Sequence, residues 1–225
     1  SSILDVFLYE LNQSGIKIVA DALVKNIIPA QEKILLETEN GQRYSADRLI
    51  IAAGGKAMPG SGSDGNGFEL AKIIGHTVTG IFPALVQLML EGNFFKSIEG
   101  VKFIGAAEIL ANDQSIIKDR GDILFTNYGV SGPPILQISR KAGELLQAGQ
   151  NPYLKISILD QLSAEEISVL LSKRLQSAGK KPLDFSLVGL INKRLIPVIL
   201  KQAGIKDIKQ PAAAVSPEEQ GKIAA

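Results

Sequence analysis

The sequence predicts a mixed α/β fold in three consecutive parts: an α/β part over residues 1–88, a mostly β part over 89–160 and a helical part over 161–225. Three observations carry this. An amphipathic helix, short strands, a hairpin and a strand apolar on both faces follow one another up to Gly54-Gly55, the order of an α/β unit. From Thr77 to Thr126 the apolar segments have strand length and are joined by turns containing Gly or Asn, enough for a small barrel or sandwich. Beyond Tyr153–Leu159 the periodicity becomes helical, opened by the capping box Ser163-Ala164-Glu165-Glu166.

The elements follow in order. Ile3, Leu4, Phe7, Leu8 and Leu11 form one stripe of a helix over residues 2–13, with Gly15 where a C-terminal cap belongs. Strands are expected at Ile16–Ala20, Leu23–Ile28 and Lys33–Thr38, and Asn40-Gly41 should turn the last into a hairpin with Gln42–Ser45. Leu49–Ala53, apolar on both faces, reads as a central strand of a covered parallel sheet. A helix over Phe68–Ile74 is stopped by Gly75. The β part is expected at Ala84–Leu90, Val101–Leu110, Ser115–Asp119 and Ile123–Thr126. Gly129–Pro134 then turns into a helix reaching Leu146, capped by Ser131 or Gly132. Two helices follow the strand Tyr153–Leu159. The first buries Ile167, Leu170, Leu171 and Leu175; the second spans Ser186–Ala203, with Pro197 as a kink or boundary. Ser216-Pro217-Glu218-Glu219 starts a last helix, with too few residues after it to bury a face.

Composition bounds the chemistry. There are 225 residues, with 24 Lys and Arg against 23 Asp and Glu, a net charge of +1 that argues against a nucleic-acid or anionic-membrane binder. Without Cys there is no disulfide, thiolate metal site or cysteine nucleophile, and one His excludes His-rich metal centres. No apolar run approaches the roughly 20 residues of a membrane span, and no secretory signal opens the chain, so a cytoplasmic location is expected. The chain opens Ser1-Ser2 and its only Met are Met58 and Met89, which reads as an excised or processed segment.

The richest functional signal is the glycine-dense stretch from Gly54 to Gly67. Gly60-Ser61-Gly62-Ser63-Asp64-Gly65 matches the G-x-G-x-x-G dinucleotide pattern, but Gly54–Pro59 intervene after the strand and no acid stands about 20 residues on, so the Rossmann geometry is not expected. Two readings remain. Gly54 and Gly55, at the carboxyl end of a strand, would admit a flat or phosphorylated ligand to the backbone, and Ser61–Asn66 would offer N–H groups and small hydroxyls. Alternatively the stretch is a plain crossover loop.

Leu49–Lys56, Gly62–Gly67, Leu70-Ala71-Lys72 with Gly75-His76, Phe82–Val86, and the second block Ile123–Pro133 resemble, in that order, the bacterial BaiN-like (aminoacetone-oxidase-like) NAD(P)/FAD-dependent oxidoreductase family. The resemblance implies part of a glutathione-reductase-like FAD-binding domain, followed by a β-barrel insert with a helical subdomain. It implies hydride transfer between flavin and NAD(P)H or a small organic substrate. By the same correspondence Val24 meets the adenine, Ala52, Ala53, Gly54 and Gly55 lie where the chain passes the FAD, and Gly62, Ser63, Asp64 and Gly65 lie in the loop near the flavin. The family's N-terminal pyrophosphate loop and its segment closing over the isoalloxazine have no counterpart here, so this chain alone is expected not to bind FAD tightly.

Other candidates are read structurally. His76 follows a helix-ending glycine, where an imidazolium favours the negative helix end. Asn127-Tyr128 sit on a turn and Ser131 is assigned to capping. Lys173, Arg174, Lys180 and Lys181 form the clearest basic cluster, at a helix C-terminus; a weak RNA contact through this part is the alternative, a non-catalytic interaction module. No residue is assigned as a catalytic acid or base.

Overall fold

A computed structural model of the protein describes residues 2–224. The chain separates into two compact units, one ending at Ile81 and the other starting at Phe82, ahead of the Leu88 boundary expected from the sequence.

In the first unit the helix α1 occupies Ser2–Gln13 as the stripe predicts. Gly15 closes it in a left-handed conformation, its N–H donating to the Asn12 carbonyl and that of Ile16 to Leu11. The stripe is not buried: Ile3, Leu4, Phe7 and Leu8 are exposed and α1 buries no residue. Strands β1 (Val24–Pro29), β2 (Ile34–Thr38) and β3 (Arg43–Ala46) form an antiparallel sheet in that order, pairing Ile27 with Leu36 and Leu36 with Tyr44. The Asn40-Gly41 turn closes β2 onto β3, the N–H of Gly41 donating to Thr38 and that of Thr38 to Gln42.

Two expected strands are absent. Residues 16–20 pair with nothing among the described residues, and neither do residues 49–53, where Ile50 is 88% exposed. The unit's sheet is antiparallel rather than parallel. An apolar pattern reports that a segment requires cover on both faces; it does not supply the neighbouring strands that make a ladder. Helix α2 (Asn66–Ile73) starts slightly earlier than expected and lies close to the 51–54 segment, where a Cβ on Gly67 would stand 3.1 Å from that of Ala53.

The second unit is built on a five-stranded antiparallel sheet, a half-barrel of order β4-β7-β6-β5-β8. Its strands are β4 (Leu88–Met89), β5 (Lys102–Ala111), β6 (Gln114–Thr126), β7 (Gly129–Ser131) and β8 (Tyr153–Ser157). The two strands expected at Ser115–Asp119 and Ile123–Thr126 are one continuous β6. Gly121 lies inside it, opposite Gly105 on β5 and 3.3 Å from Pro134 in terms of a built Cβ, so this glycine marks a close approach rather than a turn. The real turn is Asn112-Asp113, both at positive φ (51° and 60°), which joins β5 to β6. The Ala84–Leu90 strand shrinks to β4 because the Val86 N–H goes to the Ser139 hydroxyl at 3.0 Å instead of to a ladder. A short helix α3 (Phe95–Ile98) was not expected.

Helix α4 (Pro133–Gln147) buries Ile135, Ile138 and Ala142 against Ala107, Ile109, Ile123 and Phe125 of the sheet. Its cap is Gly132; Ser131 belongs to β7. Gly132 has φ +112° and ψ 162°, a region open essentially to glycine alone, and any Cβ there would overlap the Asp122 carbonyl oxygen.

The helical part begins with α5 (Ala164–Ala178), whose capping box is complete: the Glu166 N–H donates to Ser163 Oγ at 3.2 Å and the Ser163 N–H to Glu166 Oε2 at 2.7 Å. Leu171 and Leu175 are buried and Ile167 and Leu170 half-buried. The long helix expected over 186–203 is instead α6 (Leu183–Ser186), a run of turns through Gly189 (φ +86°), and α7 (Ile196–Gln202). Pro197 stands in the first turn of α7, where its missing N–H costs no bond. Helix α8 (Pro217–Ala224) carries a second capping box, Ser216 with Glu219. It does find a partner: Ile223 packs on the cluster of Leu171, Leu175, Leu183, Ile196 and Leu200. Leu195 belongs to the core of the sheet and Ile191 packs on both clusters, so barrel and helices share side chains. Arg194 adds a polar tie, donating to the Glu99 carbonyl at 2.7 Å and to that of Ser97 at 2.8 Å.

Two outcomes test this packing by denaturant unfolding. Gly132→Ala is expected to lower the unfolding free energy by about 2–3 kcal/mol through forced strain, and an unchanged midpoint would remove that account of the β7–α4 joint. Ser163→Ala is expected to cost about 1 kcal/mol.

Candidate functional site

The glycine-dense loop of the first unit is organised by short-range hydrogen bonds. A 3-10 turn at Pro59–Ser61 is held by the Ser61 hydroxyl donating to the Met58 carbonyl at 2.8 Å, and Met58 bridges to Ser63. The Asp64 carboxylate accepts the Asn66 N–H at 3.0 Å, an Asx turn that leads into α2 through Gly65 at φ +98°. Asn66 then reaches across the unit, its side-chain amide donating to the Val24 carbonyl at 3.3 Å. That bond fastens the start of β1 to the start of α2.

Between them lies a cavity of about 390 Å³, lined by Val24, Lys25, Lys56, Asp64, Gly65 and Phe68 among others. Its size is at the lower end for small-molecule pockets, room for a nucleoside-sized portion of a ligand rather than a whole dinucleotide. Two ammonium groups (Lys25, Lys56) and two carboxylates (Asp64, Glu69) share its rim with an aromatic ring, and Glu69 is paired with Lys72 at 2.9 Å. Lys25 is already paired with Glu39 at 3.1 Å on the surface.

Of the residues singled out from the sequence, Val24, Asp64 and Gly65 line this cavity. Ala52, Ala53, Gly54, Gly55, Gly62 and Ser63 do not. Gly54 faces the chain rather than a ligand: a Cβ on it would stand 2.7 Å from Ser63 Oγ. Around Gly62 no atom lies within 4 Å of a built Cβ, so that position is open to approach. Lys25 and Phe68 were not singled out, Lys56 stood only as the end of a resemblance block, and Asn66 only as the end of the loop offering backbone N–H groups. A polar side chain at the first position of a helix was the available signal for Asn66; the two lysines converge only through the tertiary fold.

The remaining candidates are accounted for structurally. His76 is exposed, and its N–H donates to the Ala71 carbonyl at the end of α2. The Tyr128 hydroxyl donates to the Gln87 side chain. Arg174 donates to the carbonyls of Ser186 and Val188, at 2.6 and 2.7 Å. Within the second unit a larger recess of about 1090 Å³ opens inside the half-barrel, walled by core side chains such as Phe95, Ile98 and Phe125; none of the sequence-derived site residues lines it. Tyr153, beside it, donates to Asp113 at 2.7 Å, and that carboxylate raises the phenol pKa above its ordinary value. No group of three or more His, Asp or Glu among the described residues is arranged to hold a metal, and no described helix is long and apolar enough to cross a membrane.

Comparison with known proteins places this architecture. Residues 82–225 match the model described as the HI0933-like protein barrel and H2TH domain. The 3-dehydro-bile acid delta(4,6)-reductase of Clostridium scindens is 31% identical over 97% of this chain and 53% of its own length. Ribosomal RNA dihydrouridine synthases are similar too. That of Escherichia coli is 25% identical over 75% of this chain and 40% of its own length. That of Haemophilus influenzae is 26% identical over 91% and 49%. The chain thus spans about half the length of the curated relatives it matches. The second unit coincides with the matched barrel and helical region, the motif blocks are those that suggested a BaiN-like protein, and the chain belongs to the HI0933-like, BaiN-like family.

Proposed function

We propose that this chain is part of an FAD-dependent oxidoreductase that saturates a carbon–carbon double bond conjugated to a carbonyl, its first unit forming one wall of the flavin site and its second unit the barrel insert. The observation that carries the reading is the convergence of Val24, Asp64 and Gly65 on one cavity, fastened by the Asn66–Val24 hydrogen bond. These residues come from two of the three stretches that the family resemblance assigns to FAD; the third, Ala52–Gly55, does not line the cavity. The cavity fits part of such a cofactor. Phe68 offers a ring face to a base, Lys56 a cation to a phosphate, and Asp64 with the Val24 backbone offers acceptors. Flavin supplies hydride chemistry when bound; the chain's own residues orient it and exclude water.

Several features support a domain completed by residues beyond this chain. The exposed apolar stripe of α1, and the strand-like but unpaired segment 49–53, have the character of surfaces made to be covered. The relatives' printed activities point to the reaction. A delta(4,6)-reductase saturates ring double bonds, and a dihydrouridine is a uridine whose ring double bond has been saturated, so both names describe adding hydrogen to a double bond conjugated to a carbonyl. They divide on whether that bond belongs to a free small molecule or to an RNA base. Cytoplasmic location and use of NAD(P)H as reductant belong to the same proposal.

A non-catalytic interaction module is the competing reading, and two measurements separate them. The 225-residue chain alone is expected to purify without a flavin absorbance band. A protein of the relatives' full length should purify yellow and oxidise NAD(P)H in the presence of a conjugated enone or a uracil ring; a colourless full-length protein overturns the proposal. In that protein Val24→Trp, which fills the cavity, is expected to lower flavin occupancy at least about tenfold, and full occupancy would remove Val24 from the site.

A further inference from the structure

The chain's net charge of +1 conceals a strong segregation. Between Lys173 and Lys209 stand nine Lys and Arg against two acids, Asp184 and Asp207. The fold then gathers several of these cations. Backbone hydrogen bonds from Leu183 to Gln210 (2.9 Å), Asp184 to Ile208 (3.0 Å), Ala212 to Lys181 (2.9 Å) and Ala213 to Gly179 (3.0 Å) lay residues 179–184 alongside 208–213. Lys180 and Lys181 therefore share one end of the helical part with the 206–209 turn. Asp184 is spent on Lys209, at 2.6 Å. None of the ion pairs among the described residues uses Lys180, Lys181 or Lys206, and all three are exposed.

An aromatic residue follows Asp184 directly on α6, next to the segment that binds Lys209. Phe185 on α6 is 60% exposed, whereas its neighbours Leu183, Ser186 and Leu187 are buried. Those neighbours anchor the backbone beneath it. Arg174 fixes the stretch further by its bonds to the Ser186 and Val188 carbonyls, which are neutral acceptors and leave the guanidinium charge uncompensated. A large apolar ring held out to solvent on a fixed backbone costs hydrophobic free energy unless something flat covers it.

We propose that this end of the helical part is a docking face for single-stranded or looped RNA, with Phe185 as a platform for one base and Lys180, Lys181 and Lys206 as contacts to the phosphates. Charge complementarity selects a polyanion, and a ring set among the cations selects one that carries planar bases along its backbone. An anionic membrane would use a broad apolar stripe beside the basic residues, whereas this face presents one ring flanked by the smaller Val188. The proposal does not rest on the flavin reading, because RNA binding requires no flavin, and the two fail separately.

The test is fluorescence anisotropy of a labelled unstructured RNA of about 15 nucleotides, titrated with the 225-residue chain at low and moderate salt. Salt-dependent binding is expected. Phe185→Ala should weaken it about tenfold with the melting temperature unchanged. The double change Lys180→Glu, Lys181→Glu should weaken it further and flatten the slope of log affinity on log salt by about 1.4. Lys33→Glu, an exposed cation of the first unit, should leave affinity unaltered. Absence of binding overturns the proposal. So does binding insensitive to Phe185→Ala and to the double change, or binding to phosphatidylserine vesicles at affinities matching RNA.

Discussion

The second unit depends on the ladder between β5 and β6. Ten register pairs run from Lys102 opposite Leu124 to Ala111 opposite Gln114; β8 is added to β5, β7 to β6, and β4 to β7. The alternation of side chains along it puts Ala107, Ile109, Ile123 and Phe125 into one core, and α4 and the Leu195 region close over that core. The glycines at 105 and 121 are opposite one another in this ladder. A Cβ at 105 would crowd the Ser157 carbonyl, and one at 121 would press on Pro134, so the same ladder positions both β8 and the first turn of α4. A one-residue slip would exchange the buried and exposed faces of the strands and leave α4 without its apolar seat.

What the sequence reveals about this fold follows from how far apart the causes lie. The hairpin at Asn40-Gly41, the end of α1 at Gly15 and the capping boxes at Ser163 and Ser216 are settled by residues three or four positions apart, and they stand where the pattern put them. Failures cluster where the deciding partner is distant. Val86 donates to a hydroxyl more than fifty positions later, at Ser139, and the strand read through it collapses to two residues. Gly121 looks like punctuation until Gly105 is placed across from it. The apolar run 49–53 looks central until its neighbours are sought. In the candidate site the same distinction holds: the Asx turn at Asp64 is local, whereas the convergence of Val24, Lys25 and Lys56 is a product of the tertiary fold.

Averages mislead for a related reason. A near-zero net charge describes a sum, and its use against polyanion binding assumes that charge is spread evenly. Here most acids lie outside residues 173–209, and several of them are taken up in local pairs. Glu218 holds Lys222, Glu144 holds Lys141 and Arg140, and Glu37 holds Arg43. None of Lys180, Lys181 and Lys206 takes part in such a pair among the described residues.

Arg194 adds a consequence in time rather than in space. Its bonds to the Ser97 and Glu99 carbonyls join positions 97 and 95 residues apart. The Asn112-Asp113 turn, by contrast, closes the longest ladder in the molecule across two residues. Loop closure makes the second arrangement entropically cheap and the first expensive. The hairpin can therefore zip early, while the arginine tie forms only after the helices have been synthesised and packed. Until then the Ser97 and Glu99 carbonyls remain available to water.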